Sequence, residues 1–340
     1  MSTSRLTLES IAELAGVSRS TVSRVVNNHS GVRPEVRERV LHVIEETGYQ
    51  PDPAARRLAG QRANVLGLVI AEPAQALFAD PYFPRLIQGI TQKCNALDQT
   101  LSLFLFHKKE EEAKLYPRIL HNKLVDGLLV TGTHDDDPLV PQLIENNSPF
   151  VMIGRHDNPN VTFIDVDNVA GAHSAVTHLI RLGRHRIAII TGHLNNRAAQ
   201  DRYKGYINAL QDRNVPFDET LVEYGDYTEI SAYEAMQRLM QKNIDAVFAC
   251  SDSMAVGALR ALQEAHISVP GQVAIVGFDD LPPASRANPQ ITTVRQPIFQ
   301  VGALAVETLL DILDTNLIPV RRLVLPTELI IRQSCGANII

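Results

Sequence analysis

Tryptophan is absent, and the remaining aromatics are eight Tyr and ten Phe. Any stacking surface must therefore be built from Phe or Tyr. The three cysteines, Cys94, Cys250 and Cys335, are odd in number and far apart. They make neither a disulfide framework nor a metal knuckle, which fits a reducing cytoplasm. No apolar run reaches the roughly 18 residues of a spanning helix, so no membrane partner is expected. The stretch MSTSRLTLESIAELAGVS has no apolar signal core followed by a small-residue cleavage site, which argues against export. HExxH, His-x-His, GxSxG, a Walker loop and CxxC are all missing, and no GxGxxG follows the first strand. With no nucleophile beside a base, neither catalysis nor a cofactor is expected. His134-Asp135-Asp136-Asp137 reads as an acidic loop end rather than a metal site, and KKEEEAK at 108–114 as the start of a solvated helix.

The 340 residues suffice for two or three domains. Hydrophobic residues at 45% and charged residues at 21% describe a globular protein and exclude a mostly disordered chain. The net charge of -6 argues against a nucleic-acid partner until it is divided along the chain. Residues 1–62 contain nine Arg, no Lys and seven Asp or Glu, whereas the remainder holds 23 basic and 31 acidic residues. A basic head on an acidic body is a reason to look for a nucleic-acid module at the head.

The head repeats a helical period three times. Thr7 can cap a helix with Leu8, Ile11, Ala12, Leu14 and Ala15 on its apolar face, and Gly16 ends it. Ser18 can cap a second helix whose Val22, Val25 and Val26 point inward. Val17 can fill the space under the turn. Pro34 opens a third helix, buried along Val36, Val40, Val43 and Ile44 and stopped by Gly48. Ala12, Gly16, Val17, Val22 and Val25 stand at helix-turn-helix spacing, which sends the N-terminal end of the second helix into the major groove. The DNA-contact candidates here are Thr7, Ser18, Arg19, Ser20, Thr21, Arg24 and Asn27. Arg can donate two bonds to a guanine edge, and Ser and Thr suit phosphates or several bases. A second signal is PDPAARRLAG, where Pro53 can begin and Gly60 end a helix of about two turns, marginal on its own.

From residue 62 the pattern alternates strand and helix. NVLGLVIA, SLFLF, DGLLVTG and PFVMIG are buried strands between amphipathic helices. The rhythm then restarts with HSAVTHLIRLG, RIAIITG, DAVFACS and VAIVGF. Such runs predict parallel sheets covered on both faces. The expected divisions are a helix-turn-helix domain at 1–50, a hinge at 51–61, a first lobe at 62–160, a second at 161–290, and segments shared between lobes at 291–340.

TLESIAELAGVSRSTVSRVVNN and GYQPDPAARRLAG closely resemble the head of the LacI/GalR repressors. DVDNVAGAHSAVTHLIRLGRHRIAIITG, DRYKGYINAL, CSDSMAVGAL, IVGFDD and ITTVRQP resemble the same family's body. The resemblance covers nearly the whole chain. It implies an all-α head on a periplasmic-binding-protein-like α/β body of two doubly wound parallel-sheet lobes. It also implies a homodimer that places two heads on a near-palindromic double-stranded operator. In the family two hinge helices pair in the minor groove, where Leu58 matches the wedging Leu and Arg56 and Arg57 would meet phosphates or the groove floor.

Open α/β sheets bind ligands beyond the C-terminal ends of their strands. That rule selects Glu72, then Phe78, Tyr82 and Phe83; Thr131 and Thr133; Arg155; Arg197 and Arg202; Tyr227; Ser251 and Asp252; and Asp279 and Asp280. By resemblance, Arg202 and Asp279 clamp the effector in the second lobe. Ser251 and Tyr227 are further second-lobe contacts, Phe83 stacks from the first lobe, and Arg155 stands where other members often place a ligand residue. The polar mixture suits a sugar, held by bidentate groups along its hydroxyls and an aromatic on its C–H face. A purine, a sugar phosphate or a phosphoprotein partner are alternatives within the family. A transporter's solute-binding protein would share the two-lobe body but predicts an export signal and no DNA head. The chain ends soon after TELIIRQSCGANII without a leucine heptad, which predicts a dimer rather than a tetramer.

Overall fold

The computed structural model describes residues 6–26, 29–49, 62–106, 111–121, 125–315 and 320–337. The chain divides into two compact units, Met1–Val65 and Leu66–Ile340. The proposed hinge at 51–61, with Arg56 and Leu58, and the candidate Asn27 lie outside the described residues. Among the described residues no helix is long and apolar enough to cross a membrane.

The first unit packs three helices, α1 (Leu8–Ala15), α2 (Arg19–Val26) and α3 (Pro34–Thr47). Thr7 caps α1 and closes a reciprocal box with Ser10, a device that contributes roughly 1 kcal/mol. Gly16 ends α1 at φ 64°, a left-handed conformation that side chains resist. Ile11, Ala12, Ala15, Val22, Val25, Val40 and Tyr49 form the core. Leu14, expected on the buried face, is instead 60% exposed. At about 100° per residue it points roughly a quarter turn away from the mean direction of Ile11, Ala12 and Ala15.

The second unit contains two six-stranded sheets, in the orders β11-β5-β4-β3-β1-β2 and β12-β10-β9-β8-β6-β7. The strands of the first are β1 (Val65–Pro73), β2 (Thr100–Phe106), β3 (Gly127–Thr131), β4 (Phe150–Ile153), β5 (Phe163–Val166) and β11 (Arg322–Leu325). Those of the second are β6 (Ile187–Thr191), β7 (Val222–Tyr224), β8 (Ala246–Ala249), β9 (Ala274–Asp279), β10 (Thr292–Arg295) and β12 (Glu328–Ile330). β1, β3, β4, β5 and β11 pair in parallel, as do β6 with β7 and β8, β8 with β9, and β9 with β10. β12 runs antiparallel to β10. In each sheet the chain reverses winding direction about its first strand, β1 or β6. Strand ends there splay apart and leave room for a ligand.

The lobe boundaries shift from the expected 160/161 and 290/291. β5 belongs to the first sheet, so the first crossover falls after Val166. β10 belongs to the second sheet, and the chain then returns to the first lobe through the Ile298–Thr315 helix and β11 before β12 closes the second. The cause is local: β5 has only four residues, FIDV, with Asp165 inside it and Asp167 directly after, too short and too polar to stand out. The returning helix crosses Tyr82–Ala96 closely enough that a Cβ on Gly89 would lie 2.1 Å from the Phe299 carbonyl oxygen. Val301, Ala305, Val306 and Leu309 of that helix are buried in the first lobe's core.

Candidate nucleic-acid interface and ligand cleft

The first turn of α2 gathers short hydroxyls. Ser18 Oγ accepts from the Thr21 amide at 3.2 Å and lies 2.8 Å from Ser20 Oγ and 2.9 Å from Thr21 Oγ1. The helix start therefore carries a polar rim beside amides that intrahelical bonding leaves open, an arrangement suited to phosphate. Arg19, Ser20 and Arg24 are exposed, and Thr21 half-buried. Arg19 pairs with Glu9 at 2.8 Å, with both side chains mostly in solvent. Such a pair is worth at most about 1 kcal/mol and exchanges readily for a phosphate. Thr7 is engaged in capping α1.

Within the second unit a cavity of about 500 Å³ opens between the lobes at the C-terminal strand ends. Glu72, Phe83, Thr131, Arg155, Arg197, Arg202, Tyr227 and Asp279, all expected as ligand contacts, line it. Ser251 does not. Its hydroxyl accepts from the Met254 amide at 3.2 Å and caps the Asp252–Glu264 helix. A Ser ahead of a helix meets an open amide first, and capping it fixes the hydroxyl at the helix start.

Arg202 is the most constrained group of the cleft. It stands on the Arg197–Asp212 helix and is 5% exposed. Its Nε donates to Asn168 Oδ1 at 2.9 Å and one Nη to the Cys250 carbonyl at 2.5 Å. The same Nη lies 3.5 Å from Asp279 Oδ1, and the guanidinium carbon sits 3.8 Å from the Phe278 ring centroid. Asp279 also accepts from Gln296 Nε2 at 2.6 Å. Burial pushes the Asp279 carboxyl up, against the downward pull of Arg202. Asp279 and Tyr227 adopt φ values of 120° and 67°. Non-glycine residues reach this region at a cost of about 1–3 kcal/mol, and such residues cluster at ligand sites. Asp252 fixes the loop after β9 by accepting from the Leu281 amide at 2.7 Å and from Thr293 Oγ1 at 2.5 Å.

The first lobe contributes a different wall. Tyr82 and Phe83 meet edge to face at 5.4 Å, with Phe83 8% exposed at the edge of the lobe core. Glu72 lies 3.4 Å from His134 Nε2. Thr131 ends β3, and Gly132 follows at φ 72°. Burial raises the Asp165 carboxyl to about 6, with Arg155 opposing and Asp201 reinforcing the shift.

Several groups bridge the lobes. Arg155 Nε lies 3.6 Å from Asp165 of its own lobe and 3.5 Å from Asp201 of the other. These are ion-pair distances without hydrogen-bond geometry, and Arg155 Nε and Asp201 Oδ2 are both buried without a hydrogen-bond partner. Arg197 pairs with Asp157 across the gap. Gln200 donates to Asp135 at 2.7 Å, and the Asp135 amide to the Asn195 carbonyl at 3.0 Å. Arg197 is thus a rim latch as well as a lining group. The Tyr227 hydroxyl is a further buried polar atom at the cavity with no hydrogen-bond partner.

Sequence reasoning missed Asp80, Asp165, Asn168, His193, Asn196, Asp226 and Gln296, all of which line the cavity. Asp165 and Asn168 follow from the overlooked β5, and His193 and Asn196 from the loop after β6, where only the two arginines were singled out. Asp80 precedes the Tyr82–Ala96 helix and accepts from the Tyr82 amide at 2.9 Å. Its position after a strand and a short helix gave no spacing signal.

Residues 7–52 match the model for bacterial regulatory proteins of the lacI family, and residues 176–335 that for a periplasmic binding protein-like domain. The chain is 39% identical to the HTH-type transcriptional regulator CelR of Thermobifida fusca over 97% of this chain and 98% of that protein. It superposes on the solved structure of a transcriptional regulator CelR–cellobiose complex with a TM-score of 0.78 at 37% identity, covering 97% of this chain and 100% of the other. Against the lac repressor dimer bound to operator and the anti-inducer ONPF the TM-score is 0.84 at 27% identity, covering 98% and 99%. A capped helix-turn-helix, two doubly wound lobes and a polar cleft between them thus coincide with full-length likeness to such regulators, and the chain belongs to the lacI family of bacterial regulatory proteins.

Proposed function

We propose that the protein is a homodimeric transcriptional repressor whose affinity for a near-palindromic operator is set by a neutral sugar bound between its lobes. The observation that carries the ligand class is the pair of buried polar atoms without a hydrogen-bond partner, Tyr227 Oη and Arg155 Nε, on residues that line the cavity beside the Arg202–Asp279 pair, Arg155 being in ion-pair range of Asp165 and Asp201 as well. A buried polar atom without a partner costs about 1–3 kcal/mol. Sugar hydroxyls, each donor and acceptor, satisfy such atoms on both lobes, while Tyr82 and Phe83 supply apolar cover. A ligand touching both lobes favours the closed arrangement by its differential affinity for the two states, and bound operator alters ligand affinity by the same factor. On this reading the site acts by binding rather than turnover. A protein that must reach chromosomal operators works in the cytoplasm.

The full chain is titrated into a fluorescent operator duplex with and without cellobiose, the sugar in the CelR complex. A change in operator Kd of about tenfold or more, with the sugar recovered intact, is the expected result. Tight binding of cellobiose or another neutral sugar that left operator affinity unchanged would refute the coupling. No binding across a panel of neutral mono- and disaccharides would refute the ligand class.

A further inference from the structure

Charge in the cleft is unevenly distributed. Among the described residues five carboxylates line it (Glu72, Asp80, Asp165, Asp226 and Asp279) against three guanidiniums (Arg155, Arg197 and Arg202) and the imidazoles of His134 and His193. Each guanidinium is already matched to a carboxylate: Arg202 to Asp279, Arg155 to Asp165 and Asp201, and Arg197 to Asp157. Among the described residues no lysine lines the cavity. Asp80 sits on the first-lobe wall, and its charge is felt across the cleft by Arg202, Tyr227 and Asp279. A phosphorylated ligand would enter a net negative space in which each of these arginines already pairs with a carboxylate. Its phosphate would have to break an existing ion pair and also sit near Asp80, and like charges at short range in low dielectric are strongly unfavourable.

Resting on the sugar reading above, we infer that the cleft discriminates against phosphorylated sugars and that Asp80 is a specificity-determining residue for that choice. Its carboxylate has a second use for a neutral ligand, because it can accept from a sugar hydroxyl. Burial already raises the Asp80 carboxyl, with the Tyr82 amide and Arg202 pulling it back, so a second anion nearby would further penalise its charged form.

The test uses matched probes on the full chain. Calorimetry gives Kd for cellobiose and cellobiose 6′-phosphate, and for glucose and glucose 6-phosphate, in wild type and in Asp80→Asn. The wild type should bind the neutral member of whichever pair it accepts at least about thirtyfold more tightly, which is roughly 2 kcal/mol. Asp80→Asn should shrink that ratio about tenfold, whatever it does to neutral binding alone. A circular-dichroism melt shows whether the variant is folded. If it is not, Asp80→Ser provides the same removal of charge. Equal or tighter binding of the phosphorylated member by the wild type overturns the inference. So does a ratio unchanged by loss of the carboxylate, although neutral binding would then leave the sugar reading standing. Binding of neither member of any pair overturns the sugar reading and the inference with it.

Discussion

On the second-lobe wall Arg202 is held at three points, by Asn168, the Cys250 carbonyl and Asp279, and lies against Phe278. On the first-lobe wall the ring of Tyr82 leans on Phe83, and Arg155 reaches its carboxylates only at 3.5–3.6 Å. The second-lobe wall fixes its arginine in a hydrogen-bonded network, although Tyr227 Oη and Asp201 Oδ2 of the same lobe have no hydrogen-bond partner. The other is an apolar shelf with incompletely bonded polar groups. Ordered polar networks resist displacement because each member's loss strands the others, so the environment of Arg202 is expected to hold its shape better than that of Arg155.

The sharpest way to break this contrast is to remove each wall's leading residue. Arg202→Ala leaves Asp279 buried without its cation and the Cys250 carbonyl without its donor. Removing one partner of such a pair costs about 3–5 kcal/mol, and sugar binding should fall by at least about a hundredfold. Phe83→Leu on the other wall loses edge contact but keeps an apolar shelf. Its cost should be near 1 kcal/mol, with binding weakened less than about tenfold. Thermal melts and calorimetry on both variants decide the matter. Equal losses would show that neither wall dominates.

How far the sequence foretold this difference depends on what each wall is made of. Arg202 and Asp279 could be placed because each lies close behind a strong apolar strand, RIAIITG or VAIVGF, and strand ends point to the cleft. The fold class was legible for the same reason, since buried parallel strands are continuous apolar runs. Asp165 and Asn168 could not be placed, because β5 has no such run: its burial comes from β4 and β11 on either side, a contact made by a distant return of the chain. Asp80 was hidden because its place in the wall depends on the turn between two helices. Ser251 caps its own helix and is not among the residues that line the cavity, a distinction that strand-end position does not reveal. Leu14 shows the limit of periodicity in a helix of eight residues, where one apolar residue off the stripe cannot be told from one on it.

The second prediction concerns acid groups on the two walls. Asp165 in the first lobe has its carboxyl raised from 3.8 to about 6, chiefly by burial. A folded-state value above the unfolded one means that the native protein binds the proton more tightly. Stability is therefore greatest below about pH 4 as far as this group is concerned, and is lost as pH rises through 6. Asp165→Asn removes the penalty. It should leave stability little changed near pH 4 and increase it by roughly 3 kcal/mol above pH 7, judged from a two-unit shift. Urea midpoints at pH 4.5 and 7.5 measure the difference. A variant less stable than wild type at pH 7.5 would show that Arg155 fully compensates the charge, so that the first-lobe wall is electrostatically as well matched as the Arg202–Asp279 pair of the second.

The smallest expected effect is also the most direct probe of the contrast, because it changes one oxygen on each side. Tyr227 of the second lobe carries a buried hydroxyl without a partner, while Tyr82 of the first packs beside Phe83. Tyr227→Phe should remove an unsatisfied group from the empty protein, raising its stability slightly, yet remove a ligand hydrogen bond worth about 1 kcal/mol, so that Kd rises about fivefold. Tyr82→Phe, if that ring serves as cover, should change Kd by less than about twofold. The opposite signs expected for Tyr227, with melting temperature up and affinity down, are what a merely structural hydroxyl cannot produce. A drop in both would place its partner within the protein and move the anchor of the cleft away from Tyr227.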